Sequence, residues 1–521
     1  MNKIIHFWQR YQNLIVFAGS LGTAFLGVFL ILHATNYGPW AFSDSTTYIW
    51  TAHNLAAGQG LVIQNPNGGY DLLTWHPPLF SLLLSIPLLF NVDALLAIRW
   101  MNALCFGITV FLGSFSTWKF TRSFPVTVGV AALSVFALDL IFVFTGAMSE
   151  AIYFVLGLGA LFLLVLGLSE KAKKSWLIAA GVLAGLSFLA RYTGLAFIGT
   201  VIVVPFIFSD GAVRKRIVAL LPAAIPAVLI PAAWSVFVFL QNRSFGGRKL
   251  LSEDRLRLNF TKYLENFWGV ISDWFPYLFR GNHILPAGWK LAIGAVIVVI
   301  VLVIGLRIIT KNPAPEKRIH LIWLTTTAVF LLAYLGFHVG SWIFSSAPPA
   351  VDRRLLSPIL LAGILFLGAI FSLPQHAPDR RLRILQWLFL LYALVSLWYF
   401  HGKLQSFLYE QHHFGLGYTS KRWEDSELIR QVLQIDPQAE MASNNNAFIL
   451  FYSGRFPRAL KLPAAAEGVI DLPEKKTYLV LVRQLAIEAY GNAGDDYLRQ
   501  IKQYCQIVFE NDEGYICVWE G

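Results

Sequence analysis

Long apolar runs separated by short polar segments fill most of the first 400 residues. A helix that crosses a bilayer needs ~20 predominantly apolar residues, and about eleven of these runs approach that length. The predicted spans are 13–33, 95–117, 125–146, 150–168, 175–190, 192–208, 217–240, 289–308, 319–340, 355–373 and 383–400. The pattern therefore predicts a polytopic α-helical membrane protein.

Two apolar runs do not fit a single ordinary span. The run from Leu79 to Phe90 holds about twelve residues and contains Pro87, a length that suits a re-entrant or interfacial helix. The run from Trp176 to Phe208 is interrupted only by Arg191-Tyr192. One continuous helix would place Arg191 near mid-bilayer, where a charge is costly. We therefore expect two short spans that meet at Arg191.

Lysines and arginines gather in alternate loops, which fixes the expected topology. The loops on one side hold Lys3 and Arg10; Lys119 and Arg122; Lys171, Lys173 and Lys174; Arg214, Lys215 and Arg216; Arg307, Lys311, Lys317 and Arg318; and Arg380, Arg381 and Arg383. Such loops stay in the cytosol. The N-terminus is thus expected to be cytoplasmic, in the inner or plasma membrane of a bacterial-type cell.

Composition supports this interpretation. The chain has 521 residues, is 56% hydrophobic and carries a net charge of +11. Its mean hydropathy of +0.58 excludes an ordinary soluble protein. Because the positive charge lies in short loops between spans, it requires no nucleic-acid partner.

The character of the chain changes after about residue 400. We expect a membrane domain over 1–400, with outer loops 34–94 and 241–288, and a small α/β domain over 401–521 on the outer face. Glu424–Leu433 and Asp495–Tyr504 are predicted helices, and Thr477–Val482 is a predicted strand.

Two cysteines flank a turn near the C-terminus. Cys505 and Cys517 lie on either side of residues 511–514, so a hairpin there would place them opposite each other. They would form a disulfide if this segment lies outside the cytosol, and two free buried thiols are the alternative.

Chemically active side chains collect on the side away from the basic loops. Asp44, Asp71, His76, Arg99, Glu150, Arg191 and Arg353 all fall at outer span ends or in the first outer loop. Charged groups at membrane depth mark functional sites by default. Asp139, inside the third span, is an acid that should have a partner there.

Some of these residues also have plain structural interpretations. Ser43 or Asp44 could cap a helix over 45–57, and His76-Pro77-Pro78 could simply begin a helix. Glu150 could complement a helix dipole, and Arg353-Arg354 could extend toward lipid headgroups.

Several motifs together resemble the GT-C membrane glycosyltransferases, in particular the protein O-mannosyltransferase and lipid A aminoarabinose transferase group. The first outer loop carries Asp44, then Gly58-Gln59-Gly60 and His76-Pro77-Pro78-Leu79. Further matching pieces follow in order: Arg99-Trp100-Met101-Asn102, Met148-Ser149-Glu150, Arg191-Tyr192-Thr193-Gly194-Leu195, Asp352-Arg353-Arg354-Leu355, Trp423 and Ser443-Asn444-Asn445-Asn446.

The resemblance implies an inverting transfer of a sugar from a polyprenyl-phosphate donor to an acceptor at the outer membrane face. It implies Asp44 as general base. The donor phosphate would be bound by Arg191, Tyr192, Arg353, Arg243, Arg248 and Lys249. Supporting roles fall to Asp71, His76, Arg99, Asn102, Asp139 and Glu150. The acceptor, whether lipid, glycan or protein, stays open, and membrane lipids surround the spans.

The first motif departs from the family pattern. Many members carry two acids in succession, whereas Asp44 is followed by Ser45. The chain also lacks an HxxxH or Cys/His spacing near His53 and His76. No cofactor is therefore predicted, and a divalent cation is the lesser alternative.

Two other functions remain as alternatives. A lipid or solute transporter or flippase would favour polar or broken helices near mid-membrane and internal repeats. A non-catalytic member of the same fold would bind polyprenyl phosphate without transferring sugar.

Overall fold

The computed structural model describes residues 2–65, 69–169, 173–242, 256–276, 303, 315–344, 351–376, 380–460 and 472–521. Within these ranges the chain up to residue 414 is almost entirely helical. Its helices are α1 (Asn2–Ala34), α2 (Ser43–Ala56), α3 (Leu79–Leu89), α4 (Ala94–Thr121), α5 (Phe124–Phe136), α6 (Leu138–Phe144), α7 (Glu150–Gly167), α8 (Lys174–Ala190), α9 (Leu195–Phe208), α10 (Val213–Asn242), α11 (Leu256–Ser272), α12 (Pro315–Phe344), α13 (Arg353–Ser372) and α14 (Ile384–Phe414).

These helices confirm the predicted class of fold. Among the described residues, seven helices are long and apolar enough to cross a membrane, or eight if one bent pair counts as a single span. Each predicted span coincides with one helix, apart from 125–146, which covers two, and 289–308, which lies outside the described residues except for Val303. The protein is an integral, multi-pass membrane protein.

The third predicted span is broken rather than continuous. Helices α5 and α6 meet at Ala137 with a bend of 52°. Ala137 has an extended backbone, with φ −64° and ψ 113°, which ends one helix and begins the next. The predicted span over 125–146 therefore consists of two helices, and the break places Asp139 in the first turn of α6.

The fifth and sixth spans are separate, as predicted. Helix α8 ends at Ala190, and Tyr192–Gly194 forms a 3₁₀ turn before α9. Arg191 itself is extended, with φ −151° and ψ 138°. At ~1.5 Å per residue, α8 and α9 are both shorter than an ordinary span.

Small residues allow close packing inside the bundle. A Cβ added to Gly181 of α8 would lie 2.1 Å from the carbonyl oxygen of Ala223 on α10. One added to Gly157 of α7 would lie 1.9 Å from the ring of Phe197 on α9. Such close approach of helices in a membrane depends on residues without side chains.

The chain divides into two compact units. We call Met1–Ala34, Thr74–Phe80 and Arg99–Tyr409 the bundle unit, and Thr35–Leu73, Ser81–Ile98 and Glu410–Gly521 the tail unit. The last helix of the bundle continues beyond the predicted residue 400 to Phe414. The first loop, which carries Asp44, packs with the C-terminal residues as one unit.

A mixed five-stranded sheet forms the centre of the tail unit. Its strands β3 (Met441–Ser443), β4 (Arg458–Ala459), β5 (Thr477–Val482), β6 (Gln506–Asn511) and β7 (Gly514–Trp519) lie in the order β4-β3-β5-β7-β6. Strand β5 is parallel to β3 and antiparallel to β7. The first loop adds a small antiparallel pair, β1 (Val62–Gln64) and β2 (Tyr70–Leu72).

Helices cover this sheet close to where the sequence predicts them. They are α15 (Lys421–Glu424), α16 (Glu427–Gln434), α17 (Asn446–Ser453), α18 (Arg483–Tyr490) and α19 (Asn492–Lys502). The predicted strand Thr477–Val482 is confirmed with its bounds. The predicted helix Glu424–Leu433 is found as Glu427–Gln434, and the predicted helix Asp495–Tyr504 begins and ends earlier, at Asn492 and Lys502.

Cys505 and Cys517 form a disulfide bond. The antiparallel hairpin of β6 and β7 pairs Ile507 with Cys517, which brings Cys505 alongside, with the two Cα atoms 5.7 Å apart. The alternative of two free thiols is excluded. The bond links the residue just before the edge strand β6 to Cys517 of β7, which is fully buried in the core of the sheet.

Replacing both cysteines by serine should lower the free energy of unfolding of the tail unit by about 2–3 kcal/mol, because the open hairpin regains entropy when unfolded. Chemical unfolding of the full-length protein measures this loss. Cys105→Ala, at a free cysteine of the bundle, serves as the control. Labelling of Cys505 by a maleimide without prior reduction would contradict the bond.

Candidate functional site

One buried carboxylate joins three helix ends in the bundle unit. Glu150 is the first residue of α7, and its side chain is 1% exposed. Its Oε1 lies 2.6 Å from Nη1 of Arg191 and 3.4 Å from Nε of Arg354. We call these three residues the Glu150 cluster.

Local sequence places each arginine of this cluster. Arg191 ends α8, where its backbone N–H donates to the carbonyl of Ser187. Asp352 caps α13: its Oδ1 accepts from the backbone N–H of Leu355 at 2.8 Å, so that Arg354 falls in the first turn of that helix. The two guanidiniums approach Glu150 from different helices.

The balance of charge in the Glu150 cluster is positive. Two guanidiniums, with side chains 15% and 22% exposed, meet a single carboxylate. A carboxylate buried this completely is stabilised only by such ion pairs, because desolvation without a partner costs several kcal/mol. The cluster therefore keeps its charges at fixed positions and carries one excess positive charge.

The neighbouring Tyr192 anchors the turn between α8 and α9. Its hydroxyl donates to the carbonyl oxygen of Thr74 at 2.8 Å and accepts from Nε1 of Trp234 at 3.3 Å. The hydroxyl therefore connects this turn to residue 74 and to α10. Because Tyr192 directly follows Arg191 in the sequence, these contacts also hold the backbone next to Arg191.

A second set of charges forms around Asp139. Its Oδ2 accepts a hydrogen bond from Nε1 of Trp274 at 2.7 Å, and its Oδ1 lies 3.6 Å from Nε of Arg353. Nη2 of Arg353 lies 3.5 Å from Oδ2 of Asp273. We call Asp139, Asp273, Trp274 and Arg353 the Asp139 cluster. The prediction that Asp139 has a partner is confirmed.

The Asp139 cluster lines a cavity of about 780 Å³. Most of the wall is aliphatic or aromatic, from α5, α6, α13 and α14, and Lys403 and His401 add polar groups. Arg353, with 48% of its side chain exposed, contacts its two acids only at long distances. Its guanidinium thus keeps donors for an anion at a mostly apolar pocket, which is a common form of ligand site.

The other predicted site residues of the bundle unit have structural contacts. Nη2 of Arg99 donates to the carbonyl of Leu32 at 2.8 Å, and the amide of the fully buried Asn102 donates to the carbonyl of Gly146. His76 lies half-buried, two prolines before α3 begins at Leu79.

Asp44 and Asp71 belong to the tail unit. The N-cap of α2 is Phe42, so the prediction that Ser43 or Asp44 caps this helix is wrong. Asp44 is half-buried in the first turn of α2. Asp71 lies on the exposed strand β2, where its Oδ1 accepts from the side chain of Asn65 at 3.1 Å. Arg243, Arg248 and Lys249 lie outside the described residues.

Sequence reasoning missed several contributors. Arg354 was identified only with its neighbour, yet it is Arg354 that approaches Glu150. Consecutive residues of a helix point about 100° apart, so Arg353 and Arg354 reach different clusters. Asp273 and Lys403 gave no signal, and a tryptophan such as Trp274 at a predicted span boundary is most simply interpreted as an interface anchor. Among the described residues, no group of three His, Cys, Asp or Glu side chains could hold a metal ion.

These helices, with their two charged clusters and apolar cavity, have the fold of the GT-C membrane glycosyltransferases, which confirms the resemblance stated from the sequence. Among solved structures, the chain is similar to ArnT from Cupriavidus metallidurans bound to undecaprenyl phosphate. The TM-score is 0.54 at 12% identity, over 98% of both chains.

The chain is also similar to the archaeal oligosaccharyltransferase AglB from Archaeoglobus fulgidus in complex with an inhibitory peptide and a dolichol-phosphate. The TM-score is 0.53 at 12% identity, covering 99% of this chain and 75% of that one. A complex of the Archaeoglobus fulgidus oligosaccharyltransferase with Zn and sulfate gives 0.52 at 12% identity, over 95% and 73%. No protein-family model and no curated protein matches the sequence.

Glu150→Gln should destabilise the bundle unit by about 3–5 kcal/mol, because two partly buried guanidiniums lose their shared, fully buried counter-charge. Thermal unfolding in detergent measures the loss. Glu427→Gln is the matched control, since Glu427 pairs with Arg430 on an exposed surface, where less than about 1 kcal/mol is expected. An equal effect of the two substitutions would show that the Glu150 cluster does not hold the bundle.

Proposed function

We propose that this protein is an inverting glycosyltransferase that moves a sugar from a polyprenyl-phosphate donor to an acceptor at the outer membrane face. The observation that carries the proposal is the Asp139 cluster. It joins a partly exposed guanidinium to a large apolar cavity inside a fold shared with glycosyltransferases. ArnT was solved with undecaprenyl phosphate and AglB with a dolichol-phosphate, which fits a lipid-linked donor here.

The cavity suits the donor's two chemically different parts. Isoprene units next to the phosphate would pack against the apolar wall, and each buried CH₂ group would contribute about 0.8 kcal/mol to the free energy of binding. The phosphate would lie at Arg353, whose planar guanidinium matches its oxygens. Lys403 lines the same cavity and would add a second cation. Asp139 and Asp273 would orient Arg353.

The Glu150 cluster suits a second role close to the reacting bond. Arg191 was predicted to bind phosphate, and it remains a proposed ligand together with Tyr192. Because Arg191 already lies 2.6 Å from Glu150, we infer that it acts mainly through its fixed charge. The excess positive charge of this cluster would stabilise negative charge that develops on the leaving phosphate.

Asp44 is the proposed general base. As the acceptor's oxygen or nitrogen attacks the anomeric carbon, the bond from that carbon to the phosphate oxygen breaks. The phosphate leaves with the electron pair, and the acceptor's proton passes to Asp44. A single displacement inverts the anomeric centre. No cofactor enters this balance, and a cation at the lone carboxylate stays the lesser alternative.

The proposed sidedness follows from the loop charges. The basic loops would lie in the cytosol, so the tail unit and Asp44 would lie outside. The disulfide Cys505–Cys517 agrees with an oxidising compartment for the tail unit. Arg243, Arg248 and Lys249, in the outer loop by sequence, remain proposed contacts for the phosphate.

Asp44→Asn should lower kcat by roughly 10²–10⁴, because the amide cannot accept the acceptor's proton. The assay incubates purified full-length protein in nanodiscs with radiolabelled polyprenyl-phosphate hexoses or pentoses and a membrane extract. It measures sugar transfer and released polyprenyl phosphate. Asp496→Asn, at an exposed position of α19, is the matched comparison and should transfer sugar normally. Unchanged transfer by Asp44→Asn would remove Asp44 as the base.

Arg353→Gln should weaken binding of polyprenyl phosphate by roughly 10–100-fold, the loss expected for hydrogen bonds to a charged group. Scintillation proximity with tritiated polyprenyl phosphate measures this binding without turnover. Arg430→Gln, on an exposed helix of the tail unit, should bind normally. Normal binding by Arg353→Gln would place the phosphate elsewhere.

The same assays separate the alternatives. Binding of the lipid without any transfer would indicate a non-catalytic member of the fold. Movement of labelled lipid between leaflets of a proteoliposome without sugar transfer would indicate a flippase.

A further inference from the structure

We call Glu410–Gly521, the last part of the tail unit, the C-terminal tail. Residues near its start hold the segment that leads into α2, the helix that carries Asp44. The backbone N–H of Tyr418 donates to the carbonyl of Ala41 at 2.9 Å, in a parallel bridge between Ala41 and Gly417. The hydroxyl of Thr419 donates to the carbonyl of Pro39, two residues before Ala41, at 2.9 Å. Ala41 is three residues from Asp44, so this bridge fixes the backbone just before α2.

Gly417 permits this contact because it has no side chain. Its φ is +65°, and an added Cβ would lie 2.3 Å from the carbonyl oxygen of Ala41. The same Cβ would lie 3.1 Å from the ring of Phe42, the N-cap of α2. Any larger residue at position 417 must therefore push residues 41 and 42 away.

Tyr418 connects this bridge to the core of the tail unit. Its side chain is 3% exposed, and its hydroxyl donates to Oδ1 of Asn445 at 3.1 Å. Burial raises the pKa of the Tyr418 hydroxyl to about 12, so it remains a donor at neutral pH. Its ring lies 5.9 Å from that of Phe42 and 5.3 Å from that of Phe448.

Asn445 in turn belongs to the rigid part of the unit. Its Oδ1 also accepts from the backbone N–H of Phe448 and thereby caps α17, directly after strand β3. A continuous series of contacts therefore runs from the central sheet through Asn445 and Tyr418 to Ala41 and Phe42.

The rest of the first loop is held by the same tail. Gly454, with φ +70°, lies so close to Trp50 of α2 that an added Cβ would be 2.6 Å from the indole ring. The backbone N–H of Phe456 donates to Oε1 of Gln64 at 3.2 Å. The helix that carries Asp44 is thus also supported at Trp50, and strand β1 of the first loop is held at Gln64.

We propose that Gly417 and Tyr418 are positioning residues for Asp44, which makes the C-terminal tail part of the device that orients the general base. This inference rests on the proposed function, because it takes Asp44 as that base. The residues touch no reacting atom. They set where the first turn of α2 lies, and a displacement of about 1 Å at such a group can cost 10²-fold in rate.

Gly417→Ala tests the proposal. Its kcat for sugar transfer should fall at least about tenfold, while KM for the polyprenyl-phosphate sugar stays within about twofold of wild type, because the donor site is untouched. Gly491→Ala is the matched control. Gly491 also has a positive φ, of +61°, but no described atom lies within 4 Å of its added Cβ. It should transfer sugar normally.

A double variant shows whether the effect passes through Asp44. If Gly417 acts by positioning this carboxylate, Asp44→Asn combined with Gly417→Ala should be no slower than Asp44→Asn alone, since residues that act as a unit are not additive. A purely structural defect would slow both backgrounds by the same factor. That additive outcome would overturn the proposal.

Milder variants keep the test informative if Gly417→Ala does not fold. Tyr418→Phe removes the hydrogen bond to Asn445, and Thr419→Val removes the bonds from the Thr419 hydroxyl to the carbonyls of Pro39 and Leu416. Each should lower kcat by a few-fold without changing KM for the donor. Full activity of both variants would overturn the proposal.

The two proposals fail in different ways. An active Asp44→Asn would refute the base itself. An inactive Asp44→Asn beside a fully active Gly417→Ala would leave the base in place and refute its positioning by the tail.

Discussion

The ion pairs of Glu150 are the interaction on which the bundle unit depends. This carboxylate has almost no contact with solvent, and it lies between guanidiniums from two different helix ends. Removing water from three charged groups is costly, so they are stable there only when their geometry is kept. The start of α7, the break after α8 and the first turn of α13 are therefore fixed relative to one another.

That constraint also determines how the adjacent arginine can act. Once Arg354 is held by Glu150, Arg353 must point about 100° away around α13, toward Asp139 and the cavity. The two arginines thus have different duties despite being neighbours. The side chain of Arg354 is 22% exposed and pairs with a buried carboxylate, whereas the side chain of Arg353 is half-exposed at the edge of a large apolar space. The guanidinium that pairs with Glu150 and the guanidinium that lines the cavity therefore belong to adjacent residues of one helix.

Much of this architecture was predictable because apolar length and loop charge report directly on membrane spans. The break at Arg191 was predicted for a simple reason: a lone guanidinium cannot lie in an otherwise apolar helix at mid-bilayer. Strand β5 and the β6–β7 hairpin were equally plain from their apolar runs and turn residues. The bend at Ala137 was missed because alanine gives no sign of interrupting a helix.

The site was less accessible to sequence reasoning. Arg354 and Glu150 are far apart along the chain, and no local pattern says which of two adjacent arginines faces the acid. Trp274 looked like an interface anchor, although its indole nitrogen binds Asp139. The union of the first loop with the tail was also missed, since the Ala41–Gly417 bridge depends on backbone groups that any sequence possesses.

The union of first loop and tail has a consequence for how the protein is made. Asn36 and His412, joined by a hydrogen bond, are separated by 376 residues, so at ~5–20 residues per second the loop waits roughly 20–75 s for its partner. During that interval α2 lacks the backbone that supports its first turn. A nascent or truncated chain therefore lacks the contacts that hold its first loop, and the tail unit can form only after the C-terminal residues have been synthesised.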